Sequence, residues 1–472
     1  MIGKLILIWY YLLTRWGSRT AASREVVERR QERRIRRHLR FVRKHSAFYR
    51  EHWGELSDAQ WRQFPIIEKL EMMEQFDRLN TAGVSKDEAF ALALAAEQSR
   101  DFTPTIGPVT VGLSSGTSGN RGLFLVSGRE RMAWAGIMLA KVLPRSLLHA
   151  ERVAFFLRAD SNLYGSVGSR RLQFAFYDML QPLAEHIVNL NRQQPTIVAA
   201  PPSMLRALAE AQQDGRLRLG PRPRRIISVA EVLDPLDRVT IEAAFGQSVH
   251  QIYQCTEGFI ASTCKYGTLH VNEDIVVVQK EVLDDGLRKF VPIVTDLSRT
   301  MQPIVRYRLN DILTERAEPC PCGSAYMALE RIEGRCDDLF YFHSLADRQL
   351  VPVYPDFITR AIISSAPDVA EYKVVQHAPA AVEVSIRLKQ EQEQEQGQEQ
   401  EQGQEQQQKQ EQLQRQARAV GSSREKVHQQ ISDSIQQLCD KLGCEAPHLE
   451  FSELHHEPGL RKLRRVERRF QP

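Results

Sequence analysis

Four separated stretches of this 472-residue sequence hold residues whose types and spacing could do chemistry. The first, LSSGTSGNRG at 113–122, gathers three glycines, four hydroxyl side chains and an arginine. Glycine reaches backbone conformations other residues avoid, and Ser and Thr add donors beside exposed backbone N–H groups. That combination suits a phosphate; a solvent-exposed linker is the competing reading. The stretch is not a P-loop, because the lysine directly preceding the Ser or Thr is absent. The second, YQCTEG at 253–258, sets Tyr253 ahead of a hydroxyl–carboxylate pair, Thr256 and Glu257. Such a pair can also be plain core hydrogen bonding. Cys255 has no identifiable base and reads as a packing residue. The third, RYRLND at 306–311, ends alternating basic residues in Asp311, and the fourth, RKLRRV at 461–466, contains Lys462. Taken singly, these are a strand end and a solvated basic tail.

A further set could bind metal. TCKYGTLH contains Cys264 and His270, and EPCPCGS contains Cys320 and Cys322. Three thiolates and one imidazole suit tetrahedral zinc. All four protein ligands would be used, so the Zn2+ would be structural; unliganded packing cysteines are the alternative.

The elements that must position these residues follow from the apolar pattern. Between about 84 and 250, helical patterns such as EAFALALAAEQ and PPSMLRALAEAQQ alternate with short strands such as VTVGL, ERVAFFLRA and RRIISVA. This alternation predicts an α/β architecture with a partly parallel sheet. Closely spaced strands from 268 to 313 predict a β-rich subdomain. A boundary falls near RIEGRCDDLFYF at 331–342, and EYKVVQ and AVEVSIRLK then predict a small α+β domain. The domains expected are an N-terminal helical segment at 1–50, packed on the main domain or apart from it, a large domain at 51–334 and a small one at 335–472. The Glu/Gln repeat at 390–412 has almost nothing to bury; it is expected to be a disordered insertion, with a polar helix as the alternative.

At the N-terminus, KLILIWYYLL is too short to span a bilayer and lacks a clear cleavage site after it. RRQERRIRRHLRFVRK places Ile35, Leu39 and Val42 at helical spacing. It reads as an amphipathic helix packed on the body, or as a peripheral grip on anionic lipid. A net charge of +4 gives no reason to expect nucleic-acid binding. Seven cysteines without framework spacing point to a reducing, cytoplasmic compartment, with peripheral membrane association through the N-terminal segment left open.

Taken together, the four stretches have the order and content of the adenylate-forming enzymes. The sequence most resembles the phenylacetate–CoA ligase and coenzyme F390 synthetase branch, over roughly 40–472. The resemblance implies a fold with a large N-terminal adenylation domain, its β-rich subdomain and a small mobile α+β C-terminal domain. It also implies that Ser114, Ser115, Gly116, Thr117, Ser118 and Gly119 hold the phosphates of ATP. The Y-x-x-[ST]-E motif falls on Tyr253, Thr256 and Glu257, with the tyrosine against adenine and the glutamate on Mg2+. The Y-R-x-x-D motif falls on Tyr307, Arg308 and Asp311, the aspartate holding the ribose hydroxyls. GRCDD supplies Arg335 for phosphate contact and Asp337 as a hinge, and Lys462 matches the near-terminal lysine. Three departures stand out. The loop continues NRG where the wider superfamily has x-Pro-Lys-Gly, the glycine-rich GGE element is VAE at Val229–Glu231, and Arg461 replaces the glycine before Lys462.

The implied reaction is ATP-dependent activation of a carboxylic acid as an acyl-adenylate with release of pyrophosphate. Transfer to coenzyme A follows; an amine acceptor or a non-catalytic nucleotide-binding protein are the alternatives. LQFAFYDML at 172–180 is apolar enough for an aryl or a fatty acid pocket.

Overall fold

The computed structural model describes residues 2–21, 23–114, 121–157, 168–220, 223–389, 406–454 and 463–472, except the side chains of 19, 20 and 406–423. Two compact units divide the chain: Met1–Leu233 with Thr240–Ile332, and Asp234–Val239 with Glu333–Pro472.

The first unit opens with helices α1 (Ile2–Thr20), α2 (Arg24–His45), α3 (Ala47–His52), α4 (Lys69–Glu74), α5 (Phe76–Leu79) and α6 (Lys86–Ser99). Helix α2 forms because its apolar residues recur at three- and four-residue spacing. Val27, Ile35, Leu39 and Val42 are buried on that stripe, while arginines cover the opposite face. Two bidentate contacts at 2.6 and 2.7 Å from Arg24 to Glu273 lock the start of α2 in place.

A hairpin of β1 (Val109–Leu113) and β2 (Leu123–Ser127) follows, then α7 (Gly128–Val142). In this hairpin Gly112 faces Phe124, and a Cβ at 112 would lie 2.2 Å from the phenyl ring. Only glycine fits there. Ser127 caps α7 in a reciprocal box with Glu130. The other Glu130 oxygen accepts from the Thr300 hydroxyl at 2.8 Å and the Met301 N–H at 3.0 Å. Burial alone would raise the pKa of Glu130, but these donors hold it below the usual carboxylate range.

The large sheet has two halves. β3 (Glu151–Leu157), β4 (Leu172–Asp178), β5 (Ile197–Ala200), β6 (Arg225–Ser228) and β7 (Val249–Cys255) are parallel, joined in part by α8 (Leu183–Gln193), α9 (Pro202–Gln213) and α10 (Pro235–Phe245). From β7 onward the pairing turns antiparallel, through β8 (Gly258–Thr263) to β9 (Leu269–Val271). The sheet continues with β10 (Val276–Asp284), β11 (Lys289–Asp296), β12 (Ile304–Arg308), β13 (Asp311–Glu315) and β14 (Ala328–Arg335). Its order is β10-β11-β13-β14-β9-β8-β7-β6-β5-β3-β4, with β12 on β11.

In the second unit β15 (Phe340–His343) and β16 (Leu350–Val353) form a hairpin, followed by α11 (Pro355–Ser365). β17 (Val369–Ala378), β18 (Ala381–Leu388), α12 (Gln406–Leu442), β19 (His448–Glu453) and β20 (Val466–Arg468) complete it. Its sheet order is β19-β18-β17-β20, and Ile362, Val374, Val384, Ile431 and Ile435 form part of its core. One expectation is corrected here. Of the Glu/Gln repeat, 390–405 lies outside the described residues, but 406–412 is helical, as the first turns of α12. Gln and Glu are good helix formers, and they continue a helix whose later turns are fixed by the burial of Val427, Ile431 and Ile435.

Candidate active site

Strand β7 is the last of the parallel run, and β8 reverses direction after Thr256 and Glu257. Carboxyl ends of parallel strands where the topology changes are where α/β folds place ligands. The turn is tight: a Cβ at Gly258 would sit 2.9 Å from Asp296 Oδ2. Buried Tyr253, two residues before the strand end, donates its hydroxyl to Asp311 Oδ2 at 2.5 Å. Thr256 Oγ1 donates to Glu257 Oε2 at 2.8 Å, and the Glu257 charge also acts on the Tyr307 phenol. Burial first, and the neighbouring carboxylates second, push both phenols well above their ordinary pKa, so both tyrosines stay protonated. Two motifs more than fifty residues apart in sequence thus meet, the tyrosine of the first bonded to the carboxylate of the second.

Cys255, beside them, is a neutral thiol, because burial and then the Glu257 charge push its pKa well up. That disqualifies it as a nucleophile. Arg308 is also structural, with two contacts of 2.8 and 2.7 Å to Glu281. Sequence reasoning passed over Arg299, which donates to the Thr256 carbonyl and, at 3.3 Å, to the Leu125 carbonyl. It ties the Thr256–Glu257 turn to β2, the strand that closes the glycine-rich loop.

Of that loop, Ser115, Gly116, Thr117, Ser118 and Gly119 lie outside the described residues. Its neck is described. Ser114 and Gly122 pair through their backbone at 2.7 Å, and the Ser114 hydroxyl accepts the Gly122 N–H at 2.7 Å. Arg121 donates to the Ser114 carbonyl at 3.2 Å and pairs with Glu97, with one contact at 2.7 Å. It is therefore anchored at the stem. The cation beside Ser114 Oγ is instead Lys69, with Nζ 3.5 Å away. No sequence motif signals Lys69. It arrives because Ile67 is bonded to the Arg306 carbonyl at 3.1 Å and the Arg308 N–H at 2.9 Å, which carries the start of α4 alongside β12.

The VAE segment shows its departure in the backbone. Ala230 has φ of 66°, a left-handed conformation that costs a residue with a Cβ roughly 1–2 kcal/mol. Glu231 accepts the Ser203 N–H at 3.3 Å.

The remaining positions belong to the second unit. Arg335 ends β14, and Asp337 is exposed in the short 3-10 turn Cys336–Asp338. The buried carboxylate of this turn is Asp338, which pairs with Arg464. Burial pushes Asp338 up to about 6, against the opposing pull of Arg464. Gly334 has φ of 143°, a conformation essentially restricted to glycine. Lys462, like Arg461, lies outside the described residues.

Back in the first unit, the Cys/His set comes together. The ligand atoms of Cys264, His270, Cys320 and Cys322 all lie within 4.8 Å of one another. Cys264 Sγ and Cys320 Sγ are 3.7 Å apart, and Cys322 Sγ is 3.4 Å from His270 Nε2. Tetrahedral bonds of about 2.3 Å to sulfur and about 2.0 Å to nitrogen place such atoms roughly 3.5–3.8 Å apart. His270 Nδ1 lies 3.1 Å from the Tyr326 carbonyl. Donation there leaves Nε2 unprotonated, the tautomer a metal requires. The Tyr266 and Ser324 N–H groups each donate to a cluster sulfur at 3.4 Å, to Cys264 and Cys322. Gly267 and Gly323 turn the two loops at φ of 78° and 73°.

No family model matches the sequence, and a search of curated proteins likewise finds no match. Solved structures do match. The chain is similar to 2-hydroxyisobutyryl-CoA ligase in the postadenylation state with 2-HIB-AMP, at 18% identity, 92% of this chain, 88% of that chain and a TM-score of 0.66. The same ligase with 2-HIB-AMP and CoA in the thioesterification state matches with a TM-score of 0.52 at 18% identity, over 93% of this chain and 89% of that chain. GH3.15 acyl acid amido synthetase matches at 13% identity, 78% of this chain, 79% of that chain and a TM-score of 0.53. These likenesses show a shared fold, the mixed α/β sheet with a separate C-terminal α+β region.

Proposed function

We propose that the protein activates a carboxylic acid with ATP and transfers the acyl group to coenzyme A. The observation that carries this reading is the bond between the two motifs, Tyr253 to Asp311, with the Thr256–Glu257 pair beside it at the end of the parallel strands. In the first step a carboxylate oxygen of the acid attacks the α-phosphorus, the bond to the β-phosphate oxygen breaks, and pyrophosphate leaves. In the second step the thiolate attacks the acyl carbon and AMP leaves. Asp311 accepts from the ribose hydroxyls, a task for an oxygen acceptor with several lone pairs. Glu257, oriented by Thr256, offers the oxygen ligand a Mg2+ ion takes. When bound, Mg2+ neutralises phosphate charge that otherwise repels the incoming carboxylate. Lys69, at the neck of the glycine-rich loop, brings an ammonium to the polyphosphate. Lys462 reaches the acid and the α-phosphate during adenylation.

Amine transfer is the second reading, favoured by the likeness to an acyl acid amido synthetase. Cys264, His270, Cys320 and Cys322 hold a structural zinc that staples β9 to the loop before β14. None of the seven cysteines forms a disulfide, which suits a reducing, cytoplasmic setting.

Acid-dependent exchange of labelled pyrophosphate into ATP tests the reading, run against a library of aryl and fatty acids. Products are then weighed by mass spectrometry with coenzyme A or amines present. Glu257→Gln keeps the shape of the side chain and removes its charge, and should lower exchange by roughly 10²-fold or more. Undiminished exchange in that variant would sink the assignment.

A further inference from the structure

Helix α1 has two faces of opposite fate. One packs on α7 so closely that a Cβ at Gly136 would lie 2.3 Å from the Leu7 carbonyl oxygen, with Tyr11 and Thr14 buried on the same side. The other carries Ile2, Leu5, Ile8, Trp9, Leu12, Leu13 and Trp16, all exposed, Trp9 by 64% and Trp16 by 62%. At 3.6 residues per turn they fall within an arc of about 140° along roughly 20 Å of helix. Exposed apolar side chains scattered singly are ordinary; a continuous stripe with two tryptophans is not.

Charge decides what covers it. Residues 1–23 contain Lys4, Arg15 and Arg19 and no Asp or Glu. Lys4 and Arg15 flank one edge of the apolar arc, and Arg15 is tethered to the Ala140 carbonyl at 3.5 Å. The last turn of α1 abuts α2, where Arg30 donates to the Gly17 carbonyl at 3.4 Å. Arg30 borders a face of α2 on which Arg29, Arg33, Arg36, Arg37, Arg40 and Lys44 are exposed. Apolar side chains and tryptophan beside a dense positive surface are complementary to one environment, the interface of an anionic bilayer. No helix among the described residues is long and apolar enough to cross a membrane. The packing on α7 further fixes α1 as a surface helix, presenting its stripe while its other side stays bound to the protein.

We propose that α1 is a membrane-docking helix, lying in the plane of an anionic lipid surface with Trp9, Leu12 and Trp16 among the acyl chains and the arginines of α2 over the headgroups. The reading is independent of the acid-activating chemistry, so either can fail alone.

The test is co-sedimentation of the full-length protein with vesicles of phosphatidylcholine alone or mixed with phosphatidylglycerol. Binding is expected to the mixed vesicles, weakening as salt is raised, and to be at least tenfold poorer on phosphatidylcholine alone. Trp9→Glu with Leu12→Glu should cut binding by roughly tenfold or more, through lost apolar burial. Arg33→Glu with Arg37→Glu should lower it and flatten its salt dependence. Thermal melts check that the variants fold. Should they not, brominated lipids give a second readout on the unaltered protein, in which tryptophan fluorescence is quenched if α1 is inserted. Absence of binding to mixed vesicles, or binding without quenching, overturns the proposal. So does a lipid-free dimer that Trp9→Glu with Leu12→Glu turns into monomers, because a second copy would then cover the face.

Discussion

Asp311 accepts a hydrogen bond from Tyr253, which burial keeps protonated, and Glu257 accepts one from the Thr256 hydroxyl. A neutral donor orients a carboxylate without cancelling its charge, which leaves that charge for a cation or a pair of hydroxyls. The residues of the Cys/His cluster are arranged with similar economy, since backbone N–H groups and one carbonyl hold the ligands in place. The protein as purified should contain about one zinc per chain by metal analysis. Cys320→Ser removes one of four ligands and should lower both metal content and melting temperature, as chelation of the wild type should. A metal-free wild type of full stability would refute the site.

At the scale of elements, α2 gives stability a pH dependence. His38 sits among its buried stripe, and Nε2 has no hydrogen-bond partner among the described residues. Burial first, and Arg34 second, lower its pKa to about 4, against a weaker opposing pull from Glu130. A histidine depressed on folding contributes stability that is fully present above its unfolded pKa, about 6.5, and is lost as pH falls through the folded value. The loss between those limits amounts to at most about 3 kcal/mol. His38→Leu should therefore flatten the fall in melting temperature between pH 6.5 and 4, whatever its effect at neutral pH. Parallel slopes for the two proteins would show that His38 takes no part in the acid response.

For the whole molecule, the division of labour between the two units is what the reaction makes testable. Lys462, in the second unit, is assigned to adenylation alone, whereas Glu257 and Asp311 belong to the first. Arg464, a neighbouring cation of the same run, is held by buried Asp338. Lys462→Ala should therefore cripple acyl-adenylate formation in single-turnover assays yet spare transfer from a pre-formed acyl-adenylate. Equal loss in both halves, or loss in neither, would end that assignment.

The sequence by itself determined the local units: the stripe of α2, the strand VTVGL, the alternation of strand and helix, and the order of the four motifs. These depend on periodicity and on residue types that turns and ligands demand, and both are written along the chain. The Cys/His set was also readable, because its ligand types are few and its spacing tight. Only the tertiary structure decided what meets across the chain. Lys69 stands beside Ser114 through two backbone bonds to β12, and Arg299 through its reach to the Thr256 carbonyl, and neither leaves a pattern in sequence. The two faces of α1 are the same kind of case. All its apolar residues read alike in sequence, and the close approach of Gly136 on α7 separates the buried ones from those left outside.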